Sequence, residues 1–241
     1  VQKATAKANQ KVLRQQQARQ KKQRMRIIMS LTAVVFIGLI VLAFALKPSQ
    51  TAAFDYDALP LSGKADAPVK IVEFGDYKCP TCKLFSQTIV PQLEKDFIAT
   101  GDVGLYFANF AFIGPDSFTA AHAAQSVYHQ NKDEFWKFYD TVYKNQGEEM
   151  LQWATPDYLT ELAKNAKLNI DYDKLRSDID NKTYADEVDS HNKLARGANV
   201  QGTPTVFING EKFENAMDYD ALKAAIVKAK AKALEAAKET E

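Results

Sequence analysis

Twenty consecutive residues, Ile27 to Leu46, carry no charge, and this run divides the chain more sharply than any other feature. As a helix rising about 1.5 Å per residue it would reach about 30 Å, the thickness of a bilayer's hydrocarbon core. Its flanks differ. Nine Lys or Arg and no acid precede it, and Lys21, Lys22, Arg24 and Arg26 stand against its N-terminal end. The other 22 Lys/Arg meet all 30 Asp/Glu in residues 47–241, so a formal net charge of +1 conceals a body at about −8. By the positive-inside tendency, residues 1–26 are expected to stay cytoplasmic, 27–46 to span the cell membrane once, and the acidic body to lie outside the cytoplasm. A secretory signal cleaved after Ala43-Phe-Ala45 is the alternative, although its apolar stretch exceeds the usual core of about 7–15 residues.

An acidic body argues against a nucleic-acid-binding domain, and two cysteines are too few for a disulfide framework or a four-cysteine zinc site. After a linker at 47–66, the pattern is α/β. Val69-Lys-Ile-Val-Glu-Phe74 predicts a central strand, and Gly75-Asp76-Tyr77 turns it into Cys79-Pro-Thr-Cys82 and a helix that Pro91 should kink or divide. A second strand is expected at 103–107. Helices are expected from Asp116 or Ser117 to about His129, through Phe135–Tyr143, from Thr155-Pro156, and over about 171–179 and 181–196. Strand character returns at 204–209 and 211–214, before an Ala-rich helix at 218–236. The reading is a first α/β portion at 67–114, a helical insertion at 115–196, a second α/β portion at 197–232 and a charged tail at 233–241. The aromatic positions of the insertion are read as packing.

The chemistry centres on Cys79-Pro80-Thr81-Cys82. At a helix start, unsatisfied amides and the positive helix end favour thiolate at Cys79, while Cys82, almost one turn inward, suits a protected resolving sulfur. Pro80 fits the first helical position, and Thr81 can alter solvation beside the first sulfur. A structural disulfide is the alternative, but closing four residues contributes only about 2 kcal/mol. A metal pair would leave zinc's shell incomplete, and His122, His129 and His191 have no ligand spacing to the cysteines. Thr203-Pro204, at the start of a strand, is either an ordinary trans entry turn or, in combination with the upstream redox helix, a cis turn with Thr203 facing Cys79. Glu73 is either solvent-facing or a buried carboxylate of raised pKa able to exchange a proton with Cys82. Lys78 either favours the Cys79 thiolate or is a solvated surface lysine, with Asp76 a lesser electrostatic contributor. Asn181-Lys-Thr183 matches a glycosylation acceptor, and Asn109, Asp116, Asp218 and Asp220 would form an oxygen-ligand metal site only if folding gathered them.

Three ordered segments carry a resemblance: residues 69–82, Asn109-Phe-Ala-Phe-Ile-Gly-Pro-Asp-Ser117, and Gly197-Ala-Asn-Val-Gln-Gly-Thr-Pro-Thr-Val-Phe-Ile-Asn-Gly210. Over roughly 55–232 the chain resembles the DsbA-like thiol–disulfide oxidoreductases, especially the membrane-tethered BdbD-like forms of Gram-positive bacteria. The resemblance implies a thioredoxin-like fold with an inserted helical domain, exchange at Cys79, resolution by Cys82, proton transfer by Glu73 and a cis-proline loop at Thr203–Pro204. It further implies reduced exported proteins as clients, a DsbB-like quinone-linked membrane oxidase as regeneration partner, and a monomer. No bound cofactor is expected, and calcium, bound by some relatives, finds no ligand set in this sequence. Ala111 stands where relatives can carry proline, which points to a less rigid segment. An anchored reductase or isomerase is the alternative enzyme, and a non-catalytic client-binding module the alternative outside catalysis.

Overall fold

The computed structural model describes residues 51–238 together with Met25, Met29, Thr32, Phe36, Ile37 and Gly38. The chain divides into two units, Val1–Ser49 and Gln50–Glu241. The six described residues of the first are helical, and Thr32 Oγ1 donates to the Met29 carbonyl at 2.9 Å. Among the described residues no helix is long and apolar enough to cross a membrane, and most of the 27–46 span expected from the sequence lies outside them.

The second unit is built on a sheet whose strands are β1 (Leu61–Gly63), β2 (Val69–Gly75), β3 (Val103–Asn109), β4 (Thr205–Ile208) and β5 (Glu211–Phe213), in spatial order β1-β3-β2-β4-β5. Only the β2–β3 pair is parallel. β2 is therefore central, with Glu73 opposite Phe107 on one side and Val206 on the other. Alternation sorts its residues between two faces. Val69 and Ile71 join Leu105, Val206, Phe85, Leu93, Leu222 and Ile226 in one core, while Val72 and Phe74 join Tyr106, Phe207, Leu59, Ala195 and Val200 in another.

After β2 the chain enters α1 (Pro80–Leu84), a π turn at Phe85–Ile89, α2 (Val90–Leu93) and a second π turn at Glu94–Ile98. The expected disturbance at Pro91 thus takes the form of widened turns, in which Val90 N–H reaches the Phe85 carbonyl and Ala99 N–H the Glu94 carbonyl. A residue without an amide donor is tolerated where the helical ladder has already shifted register. The insertion comprises α3 (Pro115–Gln130), α4 (Phe135–Lys144), α5 (Pro156–Asn165), α6 (Tyr172–Asn181) and α7 (Ala185–Gly197). Its core of Phe135, Phe138, Val142, Leu159 and Leu175 is continuous with Tyr77, Phe107 and both cysteines. The final helix is α8 (Tyr219–Lys238).

Two boundaries differ from expectation. Within the presumed linker, Phe54 and Tyr56 pack on Phe74, Phe207 and Tyr106, and β1 adds an edge to the sheet. Three-residue strands specified by a distant partner have no local signature. At the other end α8 continues into the presumed tail, where strong helix formers extend the turn begun at Asp218, whose carboxylate accepts from Ala221 N at 3.0 Å.

Candidate active site

Cys79 occupies the cap position of α1 in extended conformation, and Pro80 is the first helical residue. Both cysteines are free thiols; Cys82 is fully buried and Cys79 nearly so, at 7% exposure. Pro80 and Thr81 are exposed beside them. The Thr203–Pro204 bond is cis, and the Cys79 thiol donates to the Thr203 carbonyl at 3.2 Å. The expected approach of Thr203 to Cys79 is therefore present, brought about by β4 lying next to β2.

The two sulfurs are unlike electrostatically. The Cys79 pKa is lowered to about 6, chiefly by the hydrogen bond from the Cys82 thiol, with further help from Thr203 and the amides of Cys82 and Thr81, against the cost of burial. Cys82 is pushed well above the usual thiol range by burial, reinforced by its donation to Cys79 and by the negative charge available to Glu73. Glu73, left open from sequence as exposed or buried, is fully buried, and removal from water raises its pKa to about 8. Tyr139 donates to its Oε2 at 2.8 Å, whereas Oε1 has no hydrogen-bond partner.

Lys78 is neither a solvated surface lysine nor a partner of the Cys79 thiolate. Its ammonium is turned into the insertion, where it pairs with Asp116 at 2.6 Å and donates to the Leu151 carbonyl at 3.0 Å. Asp116 Oδ2 also accepts from the amides of Trp153 and Ala154. A buried ammonium needs a carboxylate more than a thiolate does, and this one has found it. Asp76 is a loop fastener: Oδ1 accepts from Lys78 N, and Oδ2 from Phe112 N and Ile113 N, tying the β2–α1 turn to the segment after β3. That segment is also held at Ala111, whose amide and carbonyl are both bonded by Asn192 of α7. The loss of rigidity expected from Ala111 is offset by this clamp.

The four oxygen-ligand candidates are not gathered at one place. Asn109 faces Gln125 and His191, Asp116 holds Lys78, and Asp218 caps α8, with Asp220 in its first turn. Among the described residues no group of three or more His, Cys, Asp or Glu is placed to hold a metal. His129 pairs with Glu187 and stacks on Tyr184, and His191 lies against Asn109.

Tyr139 and Tyr143, expected only to pack, and Gln146, which the sequence did not single out, also reach the site. The two tyrosines, four apart, share one side of α4, and Gln146 follows in the loop after it. Tyr139 reaches Glu73, Tyr143 donates to the Asp76 carbonyl at 3.3 Å, and Gln146 Nε2 donates to the carbonyls of Tyr77 and Cys79 at 2.8 and 3.0 Å. Their spacing was the available signal, but nothing in the sequence said which strand that side would meet.

A sequence model described as Thioredoxin matches residues 57–228. The chain belongs to the thioredoxin family. Within it, the chain is a DsbA/BdbD-like thiol–disulfide oxidoreductase. The probable disulfide bond formation protein D of Bacillus cereus is 38% identical over 206 residues, covering 84% of this chain and 94% of its own length. Disulfide bond formation protein D of Bacillus subtilis is 41% identical over 169 residues, covering 70% and 76%. Among solved structures, oxidised BdbD from Bacillus subtilis superposes with a TM-score of 0.72 at 38% identity, over 76% of this chain and 98% of that one. DsbA of Chlamydia trachomatis, at 24% identity and a TM-score of 0.66 over 73% and 93%, supports the fold alone. The chain thus has the thioredoxin-like fold with an inserted helical subdomain, in which β2, α1 and the cis-proline turn meet at the cysteines.

Proposed function

We propose that this oxidoreductase donates the Cys79–Cys82 disulfide to reduced exported proteins. A client thiolate attacks Cys79 of the oxidised pair, the Cys79–Cys82 bond breaks, and Cys82 departs as a thiolate that takes a proton from the Glu73 carboxyl. A second client thiolate then attacks the client sulfur of the mixed disulfide, and Cys79 leaves as a thiolate. The client gains one disulfide and the enzyme becomes the dithiol, so electrons balance.

The observation that carries this reading is the asymmetry of the two sulfurs, about 6 for Cys79 and well above the thiol range for Cys82. A stabilised thiolate lowers the free energy of the dithiol form and makes Cys79 a good leaving group, both of which favour an oxidant. The segments bonded to Asp76 and Lys78 also carry exposed apolar side chains, Phe112 and Leu151, which suit contact with unfolded clients. Regeneration would use a DsbB-like, quinone-linked membrane oxidase: Cys79 attacks its disulfide and Cys82 resolves the product. In this reading residues 27–46 anchor the protein in a Gram-positive cell membrane with the N-terminus cytoplasmic. The relatives from Bacillus and the basic flank of the apolar run support that placement.

The test is to equilibrate the full chain in detergent with glutathione buffers and to trap mixed disulfides with a reduced client using Cys82→Ala. An oxidising potential together with a trapped adduct at Cys79 supports donation. A potential as reducing as a cytosolic reductant's would assign the alternative reductase role, and no adduct would sink both.

A further inference from the structure

Glu73 has one protein partner. Of its two carboxylate oxygens, Oε2 accepts from the Tyr139 hydroxyl at 2.8 Å and Oε1 is buried without a partner. The groups whose charge bears on it are Cys79 and Cys82 of α1, Tyr77 of the β2–α1 turn, and Tyr139 and Tyr143 of α4. No lysine, arginine or histidine stands among them, and Lys78 is committed to Asp116. Among the described residues no cation is placed to stabilise a carboxylate formed here, so the Tyr139 hydroxyl decides how readily it forms and which oxygen remains open.

We infer that Tyr139 is a positioning residue for disulfide exchange: by binding Oε2 it orients the Glu73 carboxyl, leaves Oε1 to trade a proton with Cys82, and stabilises the carboxylate through its hydroxyl. The inference rests on the exchange reaction proposed above. The same geometry serves both directions of the exchange. When Cys82 leaves, its sulfur takes the proton from Glu73 Oε1. When Cys82 attacks the mixed disulfide at Cys79, its thiol proton goes to the Glu73 carboxylate, the new Cys79–Cys82 bond forms and the partner sulfur departs as a thiolate. That step needs the charged carboxylate which Tyr139 stabilises.

Tyr139 is suited to a clean substitution because its ring packs edge-on or tilted against Phe107, Tyr143 and Trp136, contacts that phenylalanine retains. The experiment mixes the reduced full chain in detergent with glutathione disulfide and follows, against pH, the step in which Cys82 resolves the glutathione adduct. Oxidised enzyme mixed with dithiothreitol reports the reverse step. Tyr139→Phe is expected to move the midpoint of resolution upward by about one pH unit, a roughly tenfold slowing below the midpoint, and to slow the dithiothreitol reaction by a comparable factor at the same pH. In a Glu73→Gln background, adding Tyr139→Phe should change nothing further. An unshifted midpoint in folded Tyr139→Phe, a dithiothreitol reaction unchanged at a pH where resolution slows tenfold, or a full Tyr139→Phe effect in Glu73→Gln would overturn the inference and leave the exchange reaction standing. A wild-type enzyme that forms no glutathione adduct would instead overturn the reaction itself.

Discussion

Cys79 and Lys78 are neighbours in sequence, yet their side chains serve different halves of the molecule, one against Thr203 and the other against Asp116. The lowered pKa of Cys79 comes first from the Cys82 thiol, so the residue-scale expectation concerns that bond. The thiolate absorbance of the reduced protein should titrate with a midpoint of about 6. Cys82→Ala should raise the midpoint by about one unit or more, whereas Lys78→Met should leave it within roughly half a unit. A large rise in Lys78→Met would restore the electrostatic role that the sequence suggested for this lysine. Adjacency along the chain made Lys78 a reasonable candidate for thiolate stabilisation, and only the position of Asp116, contributed by the insertion, removed it.

At the scale of elements, the β2–α1 turn is fastened from three sides: by β4 through Thr203, by the segment after β3 through Asp76, and by α4 through Tyr143 and Gln146. The end of β2 has no room to spare, because a Cβ on Gly75 would come within 2.6 Å of the Phe107 ring and 3.0 Å of the Tyr143 hydroxyl. Gly75→Ala should therefore cost about 1–3 kcal/mol by overpacking, measured by chemical denaturation. A cost below a few tenths would show that Phe107 can move aside. The Lys78–Asp116 pair gives a graded outcome. Removing Asp116 strands a buried ammonium and two amides, while removing Lys78 leaves a carboxylate that still accepts from Trp153 and Ala154. Asp116→Ala should cost about 3–5 kcal/mol and Lys78→Met distinctly less, an order that reversal in the same denaturation experiment would refute. The strands and helices behind these contacts were legible because their apolar periods are long and their punctuation, Gly114-Pro115 and Thr155-Pro156, is strong. β1 and the packing of Phe54 were not, since both depend on partners about 20 to 150 residues away along the chain.

For the whole molecule, the buried site makes stability depend on pH with two opposing signs. Glu73 binds its proton more tightly folded than unfolded, so the folded state loses stability as pH rises from about 4.5 to about 8 and is unaffected beyond. Cys79 does the reverse in the reduced protein: its contribution is full above about 9 and is lost as pH falls through about 6. Glu73→Gln should remove the first dependence and stabilise the reduced protein by roughly 3 kcal/mol at pH 7, with almost no gain at pH 4. A gain that is equal at both pH values would show that the carboxyl is not protonated by the fold. What the sequence by itself determined were the features written in neighbouring residues: the charge-free run with its basic flank, the strand leading into Cys79-Pro-Thr-Cys82, the Thr-Pro turn and the helical insertion, because hydrophobic period, charge order and turn chemistry are local. The tertiary structure alone decided that Glu73 is buried, that Lys78 belongs to Asp116 and that Tyr139 holds the carboxyl. Burial and partnership are properties of distances between elements, and those distances exist only once β2, α1 and α4 have packed together.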